Sequence, residues 1–289
     1  MSLNQLKKPS SAAQQNQAPI QVQSSTLTVS LYPVDDIQFL LTHGPDMISR
    51  ELRAGKLWEQ ATIQILQNFL LNIEKPIFID IGANLGAITI PIGKFIQRKQ
   101  GKVISFEAQR GVFYQLCGNI FANKLINTCT AHNIAIGDHE SEIDIPVLDL
   151  NKEKNVGSLS LDENIRKQQN TLSTQITEFE KVQLKPIDSL KLPHAHLIKI
   201  DVEGLELEVL QGAQQYIQDS HYPPLFFEVW GDYMKDLIPK REALKSFVKI
   251  TLGYEIVLFG ELCIAQHPSN QYFKIEIGDQ RSLSMARLK

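Results

Sequence analysis

Large apolar residues recur along this chain in two registers. Between residues 27 and 72, Ile48, Leu52, Trp58, Ala61, Ile65 and Phe69 follow helical spacing and predict an N-terminal helical segment. Beyond it, short apolar runs alternate with amphipathic stretches. The first run, Ile77-Phe78-Ile79-Asp80-Ile81, is apolar at almost every position, as suits a strand buried on both faces. Further strands are predicted at 102–107, 128–136, 197–202 and 225–230, and helices at 85–97, 112–123, 205–216 and 240–250. Two last strands, 255–259 and 261–266, flank Gly260 and suggest a terminal antiparallel hairpin. Strand–helix alternation of this kind predicts an α/β architecture with a doubly wound, mostly parallel sheet.

Two regions break the rhythm. Residues 1–26 are rich in Gln, Ser, Asn and Ala and hold too few large apolar groups to offset their ordering entropy, which predicts a disordered tail. Residues 137–192 carry short alternating pieces (Ile143-Asp144-Ile145, Ser158-Leu159-Ser160, Lys181 to Leu184) and a polar run around 167–174. They read as a β-rich insertion with a mobile loop over a ligand, set within one domain spanning 73–289.

Composition narrows the function classes. A formal net charge of -3 gives no global excess of Lys and Arg to displace counterions, so nucleic acid is not an expected partner. Three scattered cysteines, Cys117, Cys129 and Cys263, fit a reducing compartment rather than a disulfide framework. No signal peptide and no transmembrane run of roughly 18 apolar residues is visible, so the expected location is cytoplasmic.

The sharpest chemical signal is Asp80-Ile81-Gly82-Ala83-Asn84-Leu85-Gly86, directly after the first buried strand. Its glycines permit a tight turn and close approach of backbone to a ligand, and the following helix offers unpaired N–H groups. A dinucleotide loop reads GxGxxG; here Asn84 stands where the second glycine would be. An aspartate aimed into the loop would repel a pyrophosphate. S-adenosylmethionine carries no phosphate, and Asp80 can attract its ammonium while loop amides receive its carboxylate. Gly82, Ala83, Asn84 and Gly86 are then cofactor-binding positions.

Four further carboxylates stand out. Glu107 ends the next strand about 20 residues on, where an acid holds a ribose diol. Lys199-Ile200-Asp201-Val202-Glu203-Gly204 delivers Asp201 to the carboxyl edge of the sheet, as a base or a ligand for a hard cation. Glu203 either joins it or caps the following helix. Glu228 lies within an apolar strand and needs catalysis, metal binding or a buried cationic partner to justify its charge. If a divalent metal binds, Asp201 and Glu228 are its ligands. His194 and His196 read as a surface turn, and Trp58-Glu59 as helix core with a cofactor roof as the alternative.

The ordered set Asp80 to Gly86, Phe106-Glu107, Asn133 to Asp138, Ile187 to Leu190, Lys199 to Glu206 and Phe227-Glu228 resembles the FkbM family of SAM-dependent methyltransferases over residues 48–230. The resemblance implies a Rossmann-like class I methyltransferase fold and O-methylation of a small-molecule or glycan hydroxyl. It also implies cofactor contacts at Asp80, Gly82, Asn84 and Glu107, with Ala135 bordering the adenine. Ala108-Gln109 replaces a proline usual in that family. The rival readings are a non-catalytic nucleoside-binding scaffold on the same fold and an NAD-dependent oxidoreductase, the latter disfavoured by the acid before Gly82.

Overall fold

The computed structural model describes residues 27–169, 176, 178–278 and 282–288. The tail expected over 1–26 and most of the polar run at 170–175 lie outside the described residues.

The chain opens on an antiparallel hairpin, β1 (Val29–Val34) and β2 (Ile37–Thr42), which corrects the expectation of helix throughout 27–72. Ile37, Phe39 and Leu41 repeat at a period of two and are all buried, so this stretch satisfies strand and not helix geometry. Asp35, with φ 53, makes the turn. Helices α1 (Met47–Arg53) and α2 (Gln60–Leu70) then follow the expected spacing.

The core continues with β3 (Ile77–Ile81), α3 (Thr89–Gln97), β4 (Lys102–Phe106), α4 (Arg110–Ala122) and β5 (Cys129–His132). An inserted layer comprises β6 (Ala135–Ile136), β7 (Ser141–Pro146), α5 (Glu163–Gln169) and β8 (Phe179–Lys185). Next come β9 (Leu197–Ile200), α6 (Glu206–Gln211), α7 (Gln214–Asp219), β10 (Leu225–Glu228) and α8 (Ile238–Ser246), the last ending in a wide turn over Phe247–Thr251. Four strands close the chain: β11 (Glu255–Phe259), β12 (Leu262–Gln266), β13 (Phe273–Ile277) and β14 (Leu283–Arg287).

Seven strands form the main sheet in the order β11-β12-β10-β9-β3-β4-β5. The run from β10 to β5 is parallel, and β12 is antiparallel to both its neighbours. The expected terminal hairpin is therefore β11–β12, drawn into the main sheet, and a second hairpin, β13–β14, follows it. The chain winds outward from β3 to β5 and then returns to β9 on the other side of β3. This reversal opens a crevice at the strands' carboxyl ends.

Both sheet faces are covered. Phe78, Val103, Leu197, Phe226 and Ile264 join one core with α2 and α3, while Ile79, Ile104, Ile198, Phe227 and Cys263 join the other with α6 and α7. Burial on two sides explains why these strands read as unbroken apolar runs.

Four further expectations are corrected. Helix α3 begins at Thr89, not near residue 85, because Asn84 (φ 52) and Gly86 (φ 94) extend the loop. The strand expected over 128–136 divides, with Ala135–Ile136 pairing with β8 in a separate three-stranded sheet. The helix expected over 205–216 breaks at Gly212, whose α-carbon lies so near the Gly137 carbonyl that any Cβ would collide with it. Ser158-Leu159-Ser160 is not a strand but part of an irregular strap beside the crevice.

Candidate active site

A cleft of about 720 Å³ occupies the crevice. One wall is the loop after β3. Gly82 and Ala83 donate their N–H groups to the Phe106 carbonyl, and the loop is pressed so close to the β9 loop that a Cβ on Gly82 would strike the Asp201 carbonyl. Only glycine fits there, at φ 77. Ala83 and Asn84 line the cleft beside it, whereas Gly86 packs behind them against Leu116 and Ile90.

Glu107 stands at the tip of β4, 8% exposed. Its Oε2 accepts from Asn84 N and its Oε1 from Gln109 N, both at 2.8 Å. Burial raises its pKa to about 7 against the opposing pull of those two amides. A carboxylate oxygen accepts more than one hydrogen bond, so Glu107 retains acceptor capacity on both oxygens where it lines the cleft. Ala135 lies across from it, buried and lining the same space.

Asp80 does not line the cleft. It is fully buried, and its Oδ2 accepts from Thr89 Oγ1 at 2.6 Å. Its register neighbours are Ser105 on β4 and Lys199 on β9. Thr89 also bonds Ser105 at 2.8 Å, and Lys199 Nζ lies 3.5 Å from Asp80 Oδ1. The expected direct contact between Asp80 and a cofactor ammonium is thus corrected, because the sheet itself consumes that charge. Lys199, a residue that sequence reasoning did not single out, reaches on to Asp201 Oδ2 at 3.1 Å. Burial alone would lower its pKa, but Asp201, Asp80 and Glu59 together raise it.

Beside the loop after β3, at the ends of β9 and β10, gather the three carboxylates expected from sequence. Asp201, Glu203 and Glu228 each bring an oxygen within 4.8 Å of the others, a set able to hold a hard cation. Burial first, then Asp201, Glu206, Glu261 and Glu59, raises the pKa of Glu228. No side chain caps the next helix, and it is Glu206, its first residue, that braces the preceding turn, its Oε1 accepting from Val202 N and Gly204 N, both at 3.1 Å. That leaves Glu203 (φ 57) in the carboxylate group.

Three further contributors line the cleft. Trp58 and Glu59 line the cleft and do not pack purely as core. The strap residues Asn155 to Leu161 form a further side, and Gly157 approaches until its Cβ would lie 2.6 Å from Asn84 Nδ2. Trp230 and Tyr233, just past β10, complete the lining. The Trp58-Glu59 pair and the insertion as a whole gave a sequence hint, whereas Trp230 and Tyr233 gave none. His194 and His196 lie at the far, amino-terminal edge of the sheet, where His196 Nδ1 accepts from Ile77 N at 3.0 Å.

A parallel sheet with one antiparallel strand inserted beside its edge, and a cleft over the β3 loop, is the class I methyltransferase architecture. The family model described as the methyltransferase FkbM domain matches residues 80–234, and the chain belongs to that family. Among solved structures it is similar to methyltransferase FkbM from Methylobacillus flagellatus KT, at 18% identity and a TM-score of 0.44, covering 76% of this chain and 60% of that one. It is similar to the O-methyltransferase from Bacillus cereus in complex with SAH, at 12% identity and a TM-score of 0.41, covering 72% of this chain and 82% of that one. A methyltransferase from Podospora anserina, solved with SAH bound, matches at 7% identity and a TM-score of 0.41, covering 73% and 79%. No curated protein matches the chain. Among the described residues, no helix is long and apolar enough to cross a membrane.

Proposed function

We propose that this methyltransferase moves the methyl group of S-adenosylmethionine (SAM) onto a hydroxyl of a small molecule or glycan. The observation that carries the reading is the pairing of Glu107 with the carboxylate group of Asp201, Glu203 and Glu228 across one cleft. The residues fit SAM: Glu107 offers two acceptor oxygens to a ribose diol, Ala135 borders the adenine, and the Gly82 to Asn84 loop offers a cradle without pyrophosphate chemistry. With Asp80 neutralised by Lys199, Glu59 in the cleft lining takes over attraction of the ammonium.

When bound, SAM supplies an electrophilic methyl on a positively charged sulfur. The chain's task is to hold an acceptor oxygen in line with that methyl, a positioning effect that can lower a barrier by roughly 7–11 kcal/mol. As the C–O bond forms and the C–S bond breaks, the hydroxyl proton passes to a carboxylate of the group. Asp201 is the proposed base, with Glu203 and Glu228 beside it. A divalent cation held by Asp201 and Glu228 is a second arrangement favoured by the 4.8 Å clustering, and chelator dialysis followed by Mg²⁺ addition tests it through turnover.

The experiment is calorimetry with S-adenosylhomocysteine (SAH) on ligand-stripped protein, then tritiated-methyl transfer from SAM into small-molecule and glycan pools. SAH binding and a labelled ether product are expected. Absence of SAH binding overturns the reading. Asp201→Asn is expected to keep SAH binding and lose turnover, and retained turnover removes Asp201 as base.

A further inference from the structure

The acceptor end of the cleft has a one-sided charge and a fixed aromatic wall. Apart from Glu107 at the loop end, Glu59, Asp201, Glu203, Glu228 and Glu261 line the cleft. Against them stands the single ammonium of Lys199, and neither Arg nor His lines the space among the described residues. That ammonium is already engaged by Asp80 and Asp201. SAM brings an ammonium, a sulfonium and a carboxylate, one net positive charge. Even with Glu228 holding its proton, Asp201, Glu203 and Glu261 outnumber Lys199 and that charge, so the lining stays negative with the cofactor in place.

The aromatic wall is Trp230, and its position is set by backbone. Gly204 has φ 97, and a Cβ there would lie 2.5 Å from Trp230 Cη2 and 2.7 Å from Ile165 Cδ1 of α5. The indole is therefore held against the turn that carries Glu203, with the insertion helix packed against the same turn. A rigid ring beside several carboxylates suits an acceptor with an apolar C–H face and a hydroxylated edge, and it also favours a cation over the indole.

Building on the methyl-transfer reading above, we infer that this cleft selects its acceptor by charge: it takes a hydroxylated ring that is neutral or, preferentially, carries an ammonium, and it rejects sugar phosphates and other anionic acceptors. Trp230 and Glu203 are the specificity-determining residues. An anionic substituent would enter a low-dielectric space already crowded with like charge, with no Arg or Lys left to receive it. This distinguishes the cleft from sites that recognise phosphate through bidentate Arg contacts.

The test uses three probes that share one ring: glucosamine, methyl glucoside and glucose 6-phosphate. Each is titrated into SAH-saturated protein at low ionic strength. The expected order of affinity is glucosamine, then methyl glucoside, then glucose 6-phosphate, with at least about tenfold between the first and last, a separation of about 1.4 kcal/mol. The gap is expected to shrink as salt is added, and to narrow in Glu203→Gln. Trp230→Leu is expected to weaken glucosamine and methyl glucoside alike while SAH still binds. Equal affinities, tightest binding of glucose 6-phosphate, or no binding of any probe overturns the inference. So does a preference for glucose 6-phosphate that emerges when Mg²⁺ is added, since the carboxylates would then be a metal cage. SAH binding is measured first on the same sample, so its failure sinks the methyltransferase reading and a wrong charge order sinks only this one.

Discussion

Lys199 joins the two halves of the candidate site. Its ammonium spans the buried Asp80 on β3 and the half-exposed Asp201 at the end of β9, with its own side chain 8% exposed. Lys199→Met would leave Asp80 buried with only Thr89 as donor. Breaking a buried pair from one side costs on the order of 3–5 kcal/mol. We expect a clear fall in the urea midpoint, whereas Asp201→Asn, at a side chain 35% exposed, changes it much less. Equal midpoints would show that the Lys199–Asp80 pair holds nothing. At this scale the sequence revealed the carboxylates better than their partners. Asp201, Glu203 and Glu228 each looked out of place in their local pattern, and they do converge. Asp80 was misread because its environment depends on two neighbouring strands, and no local pattern announces that a lysine on the adjacent strand β9 neutralises it.

At the scale of elements, the strap of Asn155 to Leu161 forms one side of the cleft. Asp46 ties it down. Its Oδ2 accepts from Ser49 N at the start of α1, and its Oδ1 accepts from Val156 N of the strap at 3.0 Å. The Met47 N–H also donates to Lys154 O. Asp46→Ala removes an N-cap, a loss of about 1 kcal/mol, and also strands the Val156 amide. The expected outcome is a modest loss of thermal stability with a larger loss of SAH affinity, read by calorimetry on the folded variant. Unchanged SAH affinity would mean that the strap does not shape the cofactor end. The N-terminal hairpin shows why element prediction failed where it did. Its strands are short, and β2 is held by side chains from far along the chain: Asn119 Oδ1 receives Leu40 N, and Asn123 Oδ1 receives Gln38 N. Those partners lie on α4 and at its C-terminal cap, about 80 residues away, beyond the reach of a local window.

Across the whole molecule, several acids in or near the cleft are buried or half-buried and carry raised pKa values. Glu107 and Glu206 rise to about 7 and Glu228 rises as well, each through burial first. The unfolded chain releases these protons near the ordinary carboxylate value of 4.5, while the folded chain keeps them until higher pH. Between those points the native state binds more protons, so stability falls as pH rises. For the ligand-free protein we expect a thermal midpoint that declines from about pH 5 to pH 8, and SAH is expected to recover part of the loss by binding only the native state. A midpoint that rises across this window would contradict the assigned burial of these groups.

The sequence by itself determined the parallel core, the glycine loop and the three acids at strand ends. Each is written in neighbouring residues, as an apolar run, a turn that only glycine can make, or a charge out of place in its strand. The tertiary structure alone decided which charges meet. The Lys199 bridge, the strap over Asn84, the Trp230 wall set by Gly204 and the retreat of Asp80 from the cleft all arise between segments distant in the chain. Electrostatic and packing energies depend on distance in space, and only the folded sheet sets that distance.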